Sequence, residues 1–233
     1  MPYLPIFLDV TSRKCVVVGG GEVAARKAEA LLEAGAAVTV ISPRLSPELE
    51  ALAARKLIVH TPRNYQSGDI NGCAIVYAAT DDPKLHRDLA AEARALGIPI
   101  NVADVPELCT FIAPAVVRRG ALQVAISTSG ASPAFAARMR RTLEKQLGAE
   151  YAITLEVLRA ARRFVRACEI EPAERMRRLS GLANSALPDA IAAGDIESID
   201  RLLAAHLGDG IGLAQLGIDP SSVAASVAPV SLH

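Results

Sequence analysis

Apolar and polar positions divide the chain into two regimes: short unbroken apolar runs alternating with helical stretches, then helical periodicity alone. Residues 15–18, 37–41, 57–60, 74–79 and 98–102 have the length and β-branched composition of strands covered on both faces. Between them lie helical patterns over residues 23–34, from Ser46-Pro47 onward, and over 83–96. Gly35 and Gly97 close the first and last of these. Ser46 is the expected N-cap with Pro47 at the first helical position, and Asp81-Asp82 are the expected caps before Pro83. Strand–helix alternation of this kind predicts a doubly wound parallel sheet over residues 1–113, preceded by an extended lead-in over residues 4–10. Residues 122–127 alternate as one further strand. Ser132 and Pro133 then start a helix on which Phe135, Met139, Leu143 and Leu147 form an apolar stripe, for a core or for a second subunit. Beyond residue 150 the pattern is helical over 151–168, 172–182, 187–193 and 196–207. Residues 221–233 show no period and are expected to fray.

Composition narrows the class. With 233 residues, 51% of them apolar, and no net charge, the chain can bury a sizeable core and lacks the bias of a disordered segment. Residues 1–10 are apolar without a basic start or a cleavage site, so no signal peptide is expected. The uncharged run 120–137 is broken by Ser, Thr, Gly and Pro, and no membrane span is expected. Cys15, Cys73, Cys109 and Cys168 are widely spaced with no C-x-x-C pair, which points to free thiols in a reducing cytoplasm rather than to zinc. The balanced charge conceals one imbalance. Residues 114–148 carry Arg118, Arg119, Arg138, Arg140, Arg141 and Lys145 against Glu144 alone, a local charge of +5. Such a segment is either a solvated face or a field for an anionic ligand. Nucleic acid is disfavoured, because the segment lacks the interleaved aromatics that stack on bases.

The chemistry gathers where the first strand ends. Gly19, Gly21 and Ala24 fill the G-x-G-x-x-G/A pattern between a buried strand and a helix. The first glycine permits a tight turn, the second lets backbone approach a pyrophosphate, and Ala24 lets the helix pack close. The free N–H groups and positive end of that helix then face the phosphates. Ligands of an open parallel sheet collect at the carboxyl ends of its strands, where Ser42, Arg44, Thr80 and Asp104 fall. The acidic ribose reader expected about twenty residues past the glycines is missing. Ser42 fits part of that role and Arg44 fits a 2′-phosphate, so the residues leave NAD and NADP open. Asp104 follows an apolar strand and precedes Val105-Pro106, which places a carboxylate at the ligand edge. His86, in a first helical turn, reads as a surface histidine or a base.

Six stretches occur in order: Pro5-Ile6-Phe7-Leu8, the glycine run from Val18 to Lys27, Ala79-Thr80-Asp81-Asp82, Asn101-Val102-Ala103-Asp104, Thr110 to Ala115, and Ser129-Gly130-Ala131-Ser132-Pro133. Together they resemble the dehydrogenase and chelatase half of siroheme synthase, which also exists free-standing as precorrin-2 dehydrogenase. The resemblance is close over about residues 1–150 and loose in the helical tail. It implies a Rossmann NAD-binding domain (1–113), a small α+β dimerisation segment (114–149) and a helical domain (150–233). It implies NAD-dependent oxidation of precorrin-2 to sirohydrochlorin by a cytoplasmic homodimer, with ferrous iron as a second substrate in members that make siroheme. Asp104 then takes the place of the family's key carboxylate, and Glu22, Val23, Pro43 and Arg44 join Gly19, Gly21, Ala24, Ser42 and Thr80 around the cofactor. Arg118, Arg119, Ser129 and Arg138 are the expected contacts to a polycarboxylate tetrapyrrole. No metal ligand set is identified. Two positions depart from the family pattern: His86 stands where Asn is usual, and Thr128 stands where some relatives carry a phosphorylatable serine. The rival readings are an NAD(H)-sensing regulatory dimer and a tetrapyrrole carrier without catalysis.

Overall fold

A computed structural model describes the backbone of residues 3–227 and the side chains of residues 3–223. The chain divides into two compact units, Met1–Ala113 with Ser129–Ala131, and Pro114–Thr128 with Ser132–His233.

The first unit is a five-stranded parallel sheet. Its strands are β1 (Lys14–Val18), β2 (Ala37–Ile41), β3 (Ile58–Thr61), β4 (Ile75–Ala78) and β5 (Ile100–Val102), in the order β3-β2-β1-β4-β5. Helices α1 (Glu22–Glu33), α2 (Pro47–Ala54) and α3 (Pro83–Ala95) make the crossovers. Burial on both faces follows from the alternation of side chains along a strand. In β1, Cys15 and Val17 enter the core under α1 and α2, while Val16 and Val18 enter the opposite core under α3. All four are at most 1% exposed, and full burial of a valine stabilises by roughly 1.5–3 kcal/mol. The strand order reverses between β1 and β4, so the loops after β1 and β4 part there and leave a crevice at the carboxyl edge.

Helix starts follow the expected chemistry. Ser46 Oγ accepts from Leu49 N at the head of α2, with Pro47 at the first position. At α3 the cap is Asp82 alone, whose Oδ1 accepts from Lys84 N and Leu85 N at 2.8 and 3.2 Å. The lead-in before Thr11 has no regular structure, and Leu4, Ile6, Phe7 and Leu8 are exposed along it.

In the second unit, β6 (Ala115–Arg119) and β7 (Leu122–Ile126) form an antiparallel hairpin that α4 (Pro133–Gln146) packs against. Helices α5 (Glu150–Ala167), α6 (Pro172–Ala183), α7 (Leu187–Ala192), α8 (Ile196–Leu207) and α9 (Pro220–Val227) enclose a second apolar core that includes Val157, Leu187, Ile191, Ile199 and Leu203. Two expectations are corrected here. Residues 115–119, to which the pattern assigns no element, form a strand, because Gly120 at φ +54° turns the chain back for pairing with β7. Residues 221–227, expected to fray, continue a helix that Pro220 opens, with Asp219 accepting from Ser221 N at 2.9 Å. Residues 228–233 lie outside the described residues.

Candidate active site

The three glycines of the turn have different surroundings. Gly19 sits at φ +127°, and a Cβ on it would lie 2.0 Å from Ala79 O. A Cβ on Gly20 would lie 1.9 Å from Arg44 O and 2.5 Å from Ser42 Oγ. Both positions therefore let backbone meet backbone. Gly21 differs: a Cβ there meets nothing within 4 Å. It is also the N-cap of α1, with no side chain to satisfy the first-turn N–H groups. The turn is tied to its surroundings by Gly19 N to Ile41 O (2.9 Å) and Ser46 N to Gly20 O (2.7 Å).

That open side of the turn continues into a cleft of about 540 Å³ lined by Gly20, Gly21, Glu22, Ser42, Arg44, Leu45, Ser46, Pro47 and Glu48. Of the cofactor residues expected from sequence, the cleft gathers Gly21, Glu22, Ser42 and Arg44. Gly19 and Ala24 are outside its lining, Gly19 packed on Ala79 O and Ala24 fully buried. Val23, Pro43 and Thr80 are not part of its lining. Ser42 is 8% exposed and its hydroxyl donates to Arg44 O at 2.7 Å, which sets the shape of the β2–α2 loop. Gly20, Leu45 and Glu48 join the lining without a role expected from sequence, and Ser46 and Pro47, expected only as the start of α2, line it as well. The signal for Gly20 was the unbroken Gly-Gly-Gly run, one glycine more than the fingerprint needs.

Asp104 stands at the same edge. The parallel register aligns Val18, Ala78 and Val102, and the ladder extends through Ala79 N to Val18 O and Ala103 N to Ala78 O. Asp104 is therefore one residue past the level of Gly19, two strands away, about 10 Å at the usual strand spacing. It is exposed and adopts φ +59°, a left-handed conformation unusual for a non-glycine residue. Its electrostatic neighbour is a residue with no role expected from sequence. Lys27 of α1 is half-buried, with Nζ 5.2 Å from the centroid of the Tyr77 ring. Tyr77 is held edge-on by Phe111 at 5.5 Å, and burial pushes its phenol up to about 12. Burial pushes the Lys27 ammonium below the ordinary lysine value, and Arg26 adds to this, while Asp104 and Cys109 act in the opposite sense. The helical spacing of Lys27 gave no hint of this placement, which depends on β4 lying under α1.

His86, expected at the surface, is 6% exposed, and its Nε2 has no hydrogen-bond partner. The reason is periodic: His86, Leu89, Ala90 and Ala93 share the buried face of α3. Among the described residues no three His, Cys, Asp or Glu side chains gather as a metal site.

The basic residues belong to the second unit. Arg118 and Arg138 are exposed, and the Arg138 guanidinium stacks over Phe135 at 4.6 Å. Arg119 is engaged differently, donating to Leu147 O (2.6 Å), Glu144 O (2.7 Å) and Arg118 O (2.8 Å). It caps the carbonyl end of α4. Ser129 lies in the turn before α4 at φ +51°.

Residues 6–115 match the family model described as putative NAD(P)-binding, and residues 119–146 match that of the sirohaem biosynthesis protein central region. The siroheme synthase of Thioalkalivibrio sulfidiphilus is 46% identical over 151 residues, 65% of this chain and 31% of that protein. The siroheme synthase of Pseudomonas aeruginosa is 39% identical over 214 residues, 91% of this chain and 45% of that protein. The chain is a homologue of the siroheme synthases. It spans less than half the length of these curated relatives. The solved structure of SirC, a precorrin-2 dehydrogenase, superposes with a TM-score of 0.66 at 25% identity, covering 80% of this chain and 92% of that one. The Rossmann-like sheet, the small antiparallel sheet and the helical region are common to the homologue's fold and this chain's. A dinucleotide fits the residues present: the cradle at Gly21 is the space that a Cβ would fill, and it opens directly into the cleft.

Proposed function

We propose that the protein oxidises precorrin-2 to sirohydrochlorin with NAD, and that the product then accepts ferrous iron to give siroheme. The observation that carries this reading is the shared edge of the sheet: an open glycine cradle over β1 and a carboxylate held in a left-handed turn past β5. The first-turn N–H groups of α1 bind the pyrophosphate, and Glu22, Ser42, Pro43 and Arg44 flank the adenosine end, with Val23 and Thr80 along the way. NAD held there would supply the hydride acceptor for a reduced macrocycle carbon, and the glycine turn and the first turn of α1 would hold and orient it. Asp104 takes the proton released with the hydride, so that one tetrapyrrole and one NAD give sirohydrochlorin, NADH and a proton. Inserting ferrous iron displaces two pyrrole protons, and the same carboxylate serves as their acceptor.

The macrocycle's many carboxylates call for cations, and Arg118, Arg138 and the backbone turn at Ser129 supply the proposed contacts. Arg119 supports that surface from beneath, since its donors cap α4. The homodimer is supported by how little of the central segment is covered. Within residues 114–148 only Val117 and Ala136 are buried, and Phe135 remains 45% exposed. Residues 114–149 are accordingly proposed as the dimerisation segment between the NAD-binding domain and the helical domain. No observation favours an NAD(H)-sensing regulator. The test is Asp104→Ala, which should retain NADH binding and lose precorrin-2 oxidation; turnover at the wild-type rate would contradict the role given to Asp104.

A further inference from the structure

We propose that Cys109 is the positioning residue for Asp104, a thiol clamp that fixes the turn presenting the proton acceptor. The proposal rests on the dehydrogenase reading above and adds a residue to it.

Asp104 occupies a backbone conformation that L side chains adopt only when their surroundings hold them there. The turn's own bond is weak, with Val105 N at 3.4 Å from Val102 O. The chain after Asp104 makes a 3-10 turn (Pro106–Leu108) and returns alongside β5. On that return, Thr110 Oγ1 accepts from Ile100 N at 2.8 Å, and Asn101 Nδ2 donates to Phe111 O at 3.1 Å. Residues 110 and 111 thereby tie the return segment to the body of β5.

Cys109 acts one rung further on, around Asp104 itself. Its Sγ accepts from Val102 N at 3.2 Å and from Asn101 Nδ2 at 3.6 Å. Its S–H has two acceptors in reach, Val102 O at 3.3 Å and Val105 O at 3.4 Å. One sulfur thus bonds the last residue of β5 before the turn and is poised over the first residue after it. Val102 is 2% exposed, so without the thiol its N–H would lose a partner in a place water does not replace. Sulfur suits the gap because it accepts and donates at distances longer than an oxygen favours. The group is neither nucleophile nor ligand here; its effect reaches the reaction only through the placement of the carboxylate.

The experiment measures NAD-dependent oxidation of precorrin-2 under anaerobic conditions by the full chain and by Cys109→Ala, Cys109→Val and Cys109→Ser. Amide hydrogen exchange at Val102 is followed in parallel. Expected are a fall in kcat of about 10- to 100-fold for alanine and valine, the scale of a displaced catalytic group, and faster exchange at Val102. The KM for NAD should stay within about twofold, because the glycine cradle is untouched. Serine, which keeps a donor and an acceptor on a shorter arm, should recover part of kcat. Wild-type kcat in the alanine or valine variant, a serine variant no better than alanine, or a parallel rise in KM for NAD would overturn the proposal. A wild-type chain that does not oxidise precorrin-2 at all overturns the functional reading first, and is recognised before any variant is assayed.

Discussion

Replacing Gly21 by alanine separates the fold from the site it builds. The new Cβ would meet no atom within 4 Å, and the residue's φ of −88° is open to any amino acid. Alanine is a poorer N-cap than glycine by about 1 kcal/mol, and its lower unfolded-state entropy returns about 0.4–1 kcal/mol. The stability change is therefore near zero. Binding is another matter, because the methyl group fills the cradle through which a phosphate reaches the first-turn N–H groups. A hydrogen bond to a charged group contributes about 1.5–3 kcal/mol, so losing one weakens NADH about 10- to 100-fold. Gly20→Ala supplies the contrast, since its Cβ would fall 1.9 Å from Arg44 O and must displace the β2–α2 loop. The assay is a fluorescence titration with NADH beside a thermal melt of each variant. Gly21→Ala should keep the wild-type Tm and lose affinity, while Gly20→Ala should lose both. Wild-type affinity in Gly21→Ala, or a Tm that falls as far as that of Gly20→Ala, would refute the cradle.

Other outcomes follow from charge. Lys27 has a lowered pKa in the folded state, so folding is opposed while it is protonated and relieved as pH rises from that value towards the unfolded one, about 10.4. Lys27→Met should therefore raise Tm at neutral pH and abolish the wild type's gain on the way to about pH 10, as read from melts across that range. Asp69 is held below the ordinary carboxylate range by Arg63, at 2.7 Å through both oxygens, and by Gln66 N. Its contribution is present above about pH 4 and disappears as pH falls through the folded value. Asp69→Asn should thus show a smaller loss of Tm on acidification than the wild type, and an equal loss would contradict the assignment.

The first unit was legible because each of its local signals agreed with the others. Ala37–Ile41 is a strand with the bounds its apolar run suggests, and Ser46-Pro47 and Ser132-Pro133 open helices as their chemistry requires. Asp219-Pro220 carries the same kind of start signal, but Ser-Ser-Val-Ala-Ala-Ser gives too weak a periodicity to predict the helix that forms there. Residues 115–119 were harder, because an exposed two-stranded hairpin has no doubly buried run to betray it and ends on Arg118-Arg119. At the candidate site, the glycine spacing marks Gly19 and Gly21, and the end of an apolar strand marks Asp104, but neither shows what lies across from them. Gly20 matters because Arg44 comes back over it, and Lys27 because Tyr77 lies below. Cys109 read only as one of four free thiols, since its bonds to Val102 arise from the chain's return past β5. Such pairings belong to tertiary structure, and no local pattern encodes them.

The central claim is that one edge of one sheet joins a dinucleotide to a carboxylate that accepts the substrate's proton. It is tested most directly by mixing the purified chain with precorrin-2 and NAD without oxygen, following absorbance, and then adding ferrous iron. NADH equimolar with the tetrapyrrole consumed is expected, together with a sirohydrochlorin spectrum that shifts again with iron. A macrocycle spectrum unchanged by NAD, with no NADH formed, would contradict it.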